Sequence, residues 1–247
     1  MNPGDGRWSL SVSKIYMVRH GQASFGKENY DQLSGKGLKQ CGILAEYLIR
    51  TGVTFDAVYA GDMVRQQDTA REMSKTYRVH DLGLPELQVM PAFNEYSSRD
   101  IIMAHIRDVA QEDSGLKTDL ERLYVDKRAF QRVFEKIMNR WISGEADKPG
   151  VIPWRDFRER VLSGLRKVMA DNGRTKKILI CTSGGPISAA VQTALDLSDE
   201  KALRIAWHLA NTSVTTFVYD GDRMELATFN QTAHLELLHD PEMITYR

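Results

Sequence analysis

Cysteine is scarce. Cys41 and Cys181 are the only two in 247 residues. That count excludes a disulfide framework and a four-cysteine zinc site. The two lie far apart in the chain, each among apolar residues, and read as buried thiols in a reduced, cytoplasmic setting. Long apolar runs are missing as well, so no membrane span is expected. The N-terminus lacks an apolar signal core, and Asn2 excludes N-myristoylation. Charge of one sign is also lacking, since 33 Lys+Arg balance 33 Asp+Glu. A dedicated nucleic-acid or anionic-membrane binder would be basic, so neither partner is expected, although a local basic pocket is allowed. No two histidines have metal-ligand spacing, and no metal is assigned. The chain shows no internal repeat and no low-complexity segment.

What remains is an alternating pattern. Residues 14–18 form a short apolar run, read as a buried strand. Ser34 is placed to cap a helix that ends at Gly52. Residues 55–60 read as a second strand, and Asp62 as the cap of a helix over about 63–75. Residues 87–90 read as a third strand, ended by Pro91. From about 97 to 151 no strand is expected. There Leu120, Leu123, Tyr124, Phe130, Val133, Phe134, Ile137, Met138 and Trp141 recur at helical spacing, predicting one amphipathic helix that ends near Gly144. Its apolar stripe either packs on the main core or forms a homodimer face. A further helix is expected from Trp154 to about Asp171. Residues 177–181 read as a fourth strand, followed by a helix through Leu195. Two last strands, 212–219 and 224–229, flank the Asp220-Gly221-Asp222 hairpin turn. Strands alternating with helices imply an α/β fold, with a mostly parallel sheet flanked by helices. Residues 1–13 read as a flexible N-terminus. Residues 14–247 read as one domain with a helical cap insert at about 97–151.

Ligands of open α/β sheets bind at the carboxyl ends of the strands. Arg19, His20 and Gly21 follow the first strand, Asp62 and Arg65 the second, and Asn94 and Glu95 the third. Thr182, Ser183, Gly184 and Gly185 follow the fourth. Two arginines, a histidine, a carboxylate and a glycine-rich turn into a helix suit a phosphoryl group. Guanidinium forks match phosphate oxygens and stay charged. Backbone N–H groups at a helix N-terminus stabilise an anion, and Pro186 fits the first turn. A neutral imidazole is a nucleophile toward phosphorus, and a protonated Glu can supply the leaving oxygen with its proton. Each residue also has a plainer reading. Arg65 would be a surface helix residue, Glu95 a solvated loop carboxylate, and Ser183 only a helix cap.

Met17-Val18-Arg19-His20-Gly21-Gln22 resembles the signature of the histidine phosphatase superfamily, which includes the cofactor-dependent phosphoglycerate mutases. Residues 33–40, the segment from Asp56 to Ala70, Asn94-Glu95, residues 177–187, residues 211–215 and Ala233-His234-Leu235 resemble later segments of that family. The resemblance implies a phosphoglycerate mutase-like fold and phosphomonoester hydrolysis. His20 would be the nucleophile and form a phosphohistidine, with its other ring nitrogen donating to a backbone carbonyl. Arg19 and Arg65 would clamp the phosphoryl oxygens, and Glu95 would be general acid and then base. Gln22 and Ser24 would line the pocket mouth, and Ser183 and Gly184 would face the phosphate. No metal or organic cofactor is implied.

One departure stands out. Ser183 occupies the place of the family's second histidine. A neutral hydroxyl gives a hydrogen bond roughly half as strong as a charged donor. Losing one preorganised donor costs on the order of 10²–10³ in rate. The expected enzyme is therefore a weakened histidine phosphatase. The alternative is a degenerate member that binds a phosphorylated ligand or a protein, and a mutase ranks third. Substrate choice is expected from the cap, where Trp141 and Trp154 would contact the leaving group.

Overall fold

The computed structural model describes residues 12–24, 31–122, 125–144 and 146–246. In chain order they form β1 (Ser13–Arg19), α1 (Gly35–Arg50), β2 (Ala57–Ala60), α2 (Val64–Val79) and β3 (Leu87–Val89). A 3₁₀ turn (Pro91–Phe93) follows. Next come α3 (Ser98–Glu112), α4 (Lys117–Glu121), α5 (Lys127–Ser143) and α6 (Trp154–Asn172). The chain closes with β4 (Lys177–Thr182), α7 (Gly184–Leu195), α8 (Asp199–His208), β5 (Val214–Asp220), β6 (Arg223–Gln231) and α9 (Ala233–Glu236). The six strands make one sheet in the order β3-β2-β4-β1-β5-β6. β1 to β4 run parallel, β5 runs antiparallel to β1, and β6 runs antiparallel to β5. Only β5 therefore opposes the common direction. The carboxyl ends of β1 and β4 lie side by side, with Arg19 opposite Thr182.

The period of two in a strand sends alternate side chains to opposite faces. Ile15, Met17, Tyr59, Ile178 and Ile180 enter one core, with the helices α5, α6 and α7. Val18, Val58, Ala60, Leu179 and Cys181 enter the other, with Cys41, Leu44 and Met73. Both faces of the sheet are thus covered, and both cysteines are buried and free. No described helix is long and apolar enough to cross a membrane.

Several boundaries differ from the sequence reading. Residues 1–11 of the expected flexible N-terminus lie outside the described residues, and Ser13 already pairs with Tyr219 in the sheet. Helix α2 runs on to Val79, and its N-cap is Met63, not Asp62. The single helix expected over 120–144 is broken. α4 ends at Glu121, and Asp126 caps α5 by accepting from the Arg128 and Ala129 N–H groups at 2.8 and 3.3 Å. Leu123 and Tyr124 lie outside the described residues. Along α5, Val133, Ile137, Met138 and Trp141 are buried in the chain's own core. Helix α3 was not expected. Its inward residues Ile101, His105 and Val109 form a stripe one residue wide with a histidine in it, too thin for periodicity to show. α8 was missed for a similar reason, because two of its three buried residues are alanines.

Candidate active site

Hydrogen bonds hold His20 at the mouth of the β1–β4 junction. Its N–H donates to the Thr182 carbonyl at 2.8 Å, and its own carbonyl accepts from Asn211 Nδ2 at 3.0 Å. The loop that presents Asn211 is pinned by Thr212, a β-branched residue in the left-handed region at φ 58°. On the ring, Nδ1 lies 2.8 Å from the Gly21 carbonyl. A carbonyl only accepts, so Nδ1 carries the hydrogen and Nε2 keeps its lone pair. Arg65 Nε donates to that lone pair at 3.2 Å. Burial, then the Arg65 and Arg19 charges, hold the His20 pKa well below its usual 6.5, against the smaller pull of the Gly21 bond. The imidazole is therefore neutral at neutral pH.

Arg65 lies in the first turn of α2 and is buried, so it is not a surface helix residue. Its Nη1 meets Asp31 Oδ1 at 2.5 Å. The other Asp31 oxygen accepts from the Val64 N–H at 2.9 Å, which puts a carboxylate at the α2 N-terminus. Asp31 thus does the work expected of Asp62. Asp62 and Asn94 instead form a reciprocal latch. The Asp62 N–H donates to Asn94 Oδ1 at 2.8 Å, and Asn94 Nδ2 donates back to Asp62 Oδ1 at 2.5 Å. Arg19 donates to the Leu209 carbonyl, and through Nη2 to the Tyr246 carbonyl at 2.9 Å. Its guanidinium is anchored on backbone oxygen, close enough to influence both His20 and Glu95.

Glu95 faces this cationic side. Oε2 accepts from the Gly185 N–H at 3.0 Å and Oε1 from the Tyr96 N–H at 3.1 Å. Those bonds and both arginines favour the carboxylate, yet burial outweighs them and raises the pKa above 4.5. Glu95 is thus held by two backbone donors, not free in a solvated loop. Below it, Tyr96 packs on Trp141 and Phe157 with ring centroids 4.8 and 5.4 Å apart. Trp141 and Trp154 are both buried. Their indole N–H groups are taken by the Ile152 carbonyl and Asp199. They pack beneath the Glu95–Tyr96 segment and are closed off from the pocket, so the expected contact with a leaving group is not made by either. Arg160 of α6 donates to the Asn94 carbonyl at 2.8 Å and steadies the same loop. Gly185 is required for close approach, since a Cβ there would sit 2.1 Å from Glu95 Oε1.

Ser183 occupies the N-cap position of α7, but its hydroxyl makes no capping bond. It accepts instead from Gln66 Nε2 at 2.8 Å. Gly184 is buried in the first turn of α7. The Gln22 carboxamide oxygen accepts from Ser34 at 2.9 Å, which ties Gln22 to the start of α1. The Ser24 N–H donates to the Gln32 carbonyl. His20, Arg65, Glu95, Ser183 and Gly185 are thus drawn together, while Gln22 is engaged to one side. Sequence reasoning missed Asp31, Gln66 and Arg160. Only Gln66 left a trace, as a polar residue on the inward stripe Gln66-Thr69-Ala70-Met73-Tyr77 of α2. Asn211 is legible in the sequence only as part of the segment 211–215.

The fold and this constellation define a class. The model of the histidine phosphatase superfamily (branch 1) matches residues 15–121 and 124–232, and the chain belongs to that family. It is 30% identical over 107 residues to the adenosylcobalamin/alpha-ribazole phosphatase of Escherichia coli (strain K12). That match covers 41% of this chain and 49% of the relative, so it spans about half the relative's length. Among solved structures, phosphoglycerate mutase from Bacillus anthracis superposes with a TM-score of 0.63 at 17% identity, covering 93% of this chain and 97% of the other. A histidine-to-alanine variant of phosphoserine phosphatase from Entamoeba histolytica, in complex with phosphoserine, gives 0.61 at 19%, covering 91% and 100%. These structures share the fold.

Proposed function

We propose that the protein hydrolyses small phosphomonoesters through a phosphohistidine on His20, without a metal ion. The observation that carries this reading is the state of the imidazole. The Gly21 carbonyl holds the hydrogen on Nδ1 and leaves an unprotonated Nε2 facing Arg65. In the first step Nε2 attacks phosphorus and the ester P–O bond breaks. Glu95, its pKa raised by burial, gives its proton to the leaving oxygen. In the second step Glu95 takes a proton from water, the water oxygen attacks phosphorus, and the N–P bond breaks. Inorganic phosphate leaves, and His20 and Glu95 return to their starting forms. The guanidinium of Arg65 lies one hydrogen bond from the nitrogen that phosphorus joins, placed to meet the developing charge. Two guanidinium groups near the nucleophile supply the positive charge that a cation would otherwise bring.

The test is hydrolysis of an aryl phosphate by wild type and His20→Ala, side by side, with a chelator present. Turnover in the wild type alone supports the reading. Equal activity in both, or none in either, overturns it. The neutral Ser183 favours a second reading, in which the site binds a phosphorylated ligand without turning it over. In that case wild type binds phosphate but never becomes labelled on His20.

A further inference from the structure

Gln66 is fully buried, directly after Arg65 on α2, and its amide points at the Ser183 hydroxyl. Which end of the amide faces which neighbour is fixed by the Phe93 carbonyl. That oxygen accepts from Thr182 Oγ1 at 2.7 Å and from Gln66 Nε2 at 3.0 Å. A carbonyl has two lone pairs and no hydrogen, so both atoms facing it must be donors. The amide therefore cannot turn over. Its second N–H is left for Ser183 Oγ, which must act as the acceptor. The hydrogen of the hydroxyl is not spent on Gln66, and no hydrogen bond among the described residues uses it as a donor. The neighbours of Ser183 are the reacting groups. The Thr182 carbonyl holds the His20 N–H, and the Gly185 N–H holds Glu95.

Resting on the phosphohistidine reading, we propose that Gln66 is a positioning residue that aims the Ser183 hydroxyl as a donor toward the phosphoryl group on His20. A serine rotor left alone samples several directions and spends part of its time as an acceptor, repelling a phosphoryl oxygen. The amide removes that freedom by filling the acceptor side. The pair thereby replaces a charged ring by a neutral hydroxyl of fixed polarity. Gly61 belongs to the same device, because a Cβ there would lie 1.9 Å from Gln66 Oε1 and displace the amide.

The experiment is a double-mutant cycle on Gln66→Met and Ser183→Ala, reading kcat and KM on an aryl phosphate and, separately, the affinity for inorganic phosphate by calorimetry. Gln66→Met keeps the volume and removes the donor, and is expected to lower kcat and weaken phosphate binding roughly fivefold. Ser183→Ala is expected to lose on the order of 10²-fold in kcat, with the double variant no worse than Ser183→Ala. Effects that multiply, or a silent Gln66→Met, overturn the proposal. Gln66→Glu serves as the second variant, in case Gln66→Met does not fold. It offers an oxygen that takes the serine hydrogen, and should match the Ser183→Ala loss. Wild-type-like behaviour there overturns the proposal too. If wild type shows no His20-dependent turnover, the phosphatase reading fails by itself and the phosphate-binding cycle decides this one. Wild type that binds no phosphate overturns both.

Discussion

Around His20 the site is built from charge held by oxygen acceptors. Arg19 rests on two carbonyls, Arg65 is paired with Asp31, and the imidazole is fixed by the Gly21 carbonyl. Around Glu95 it is built from neutral donors. Backbone N–H groups of Gly185 and Tyr96 hold the carboxyl, and an amide holds the Ser183 hydroxyl. The two sides also shift their titrating groups in opposite directions. Burial disfavours the charged form on both, which lowers the pKa of the histidine and raises that of the acid. The difference teaches how burial in one pocket brings the titration of a histidine and of a carboxyl toward each other, since it lowers the one and raises the other.

The largest break in that comparison is His20→Ala, which removes the proposed nucleophile and is expected to cost on the order of 10⁴ or more in kcat. Labelling with a radioactive phosphomonoester checks it, since the variant should hold no acid-labile phosphate. Glu95→Gln breaks the other side. It should cost on the order of 10²–10⁴ with an alkyl phosphate and far less with an aryl phosphate, whose leaving group needs no proton. It should also remove the alkaline fall of the pH–rate profile, which in wild type begins as Glu95 loses its proton above its ordinary 4.5. Equal losses on both substrates would take the acid role away from Glu95.

Arg65→Ala sharpens the comparison by separating the two jobs of one residue. It should cost on the order of 10²–10³ in kcat/KM. It should also raise the His20 pKa, because a neighbouring cation is gone, and so move the acid limb of the profile to higher pH. Gly185→Ala probes the neutral side through geometry alone. The added methyl displaces the Glu95 carboxyl, so kcat should fall roughly tenfold or more while KM changes little. The smallest effect on turnover, read as stability instead of rate, lies beneath the pocket. His234 donates to Thr212, which holds the Asn211 loop, and burial lowers its pKa to about 4. The unfolded chain binds that proton near 6.5, so stability should fall by about 3 kcal/mol as pH drops from 6.5 to 4. His234→Gln should flatten that slope in thermal unfolding measured across the range.

The strand–helix alternation, the Ser34 cap, the Asp220-Gly221-Asp222 turn and the line of His20, Arg65 and Glu95 at strand ends were all legible in the chain itself. Each depends on local period or on residues next to one another, and such rules survive without a third dimension. The cap was read poorly because a thin stripe and alanine-lined faces carry little periodic signal. The partners of the reactive groups were not legible at all. Asp31 reaches Arg65 across 34 positions, Phe93 faces Gln66 across 27, and Gln66 meets Ser183 across 117. Residue type and local spacing therefore determined the sheet and the identity of the groups proposed to react. Only tertiary packing decided which hydrogen each one holds, because burial and long-range partners set protonation and hydroxyl direction.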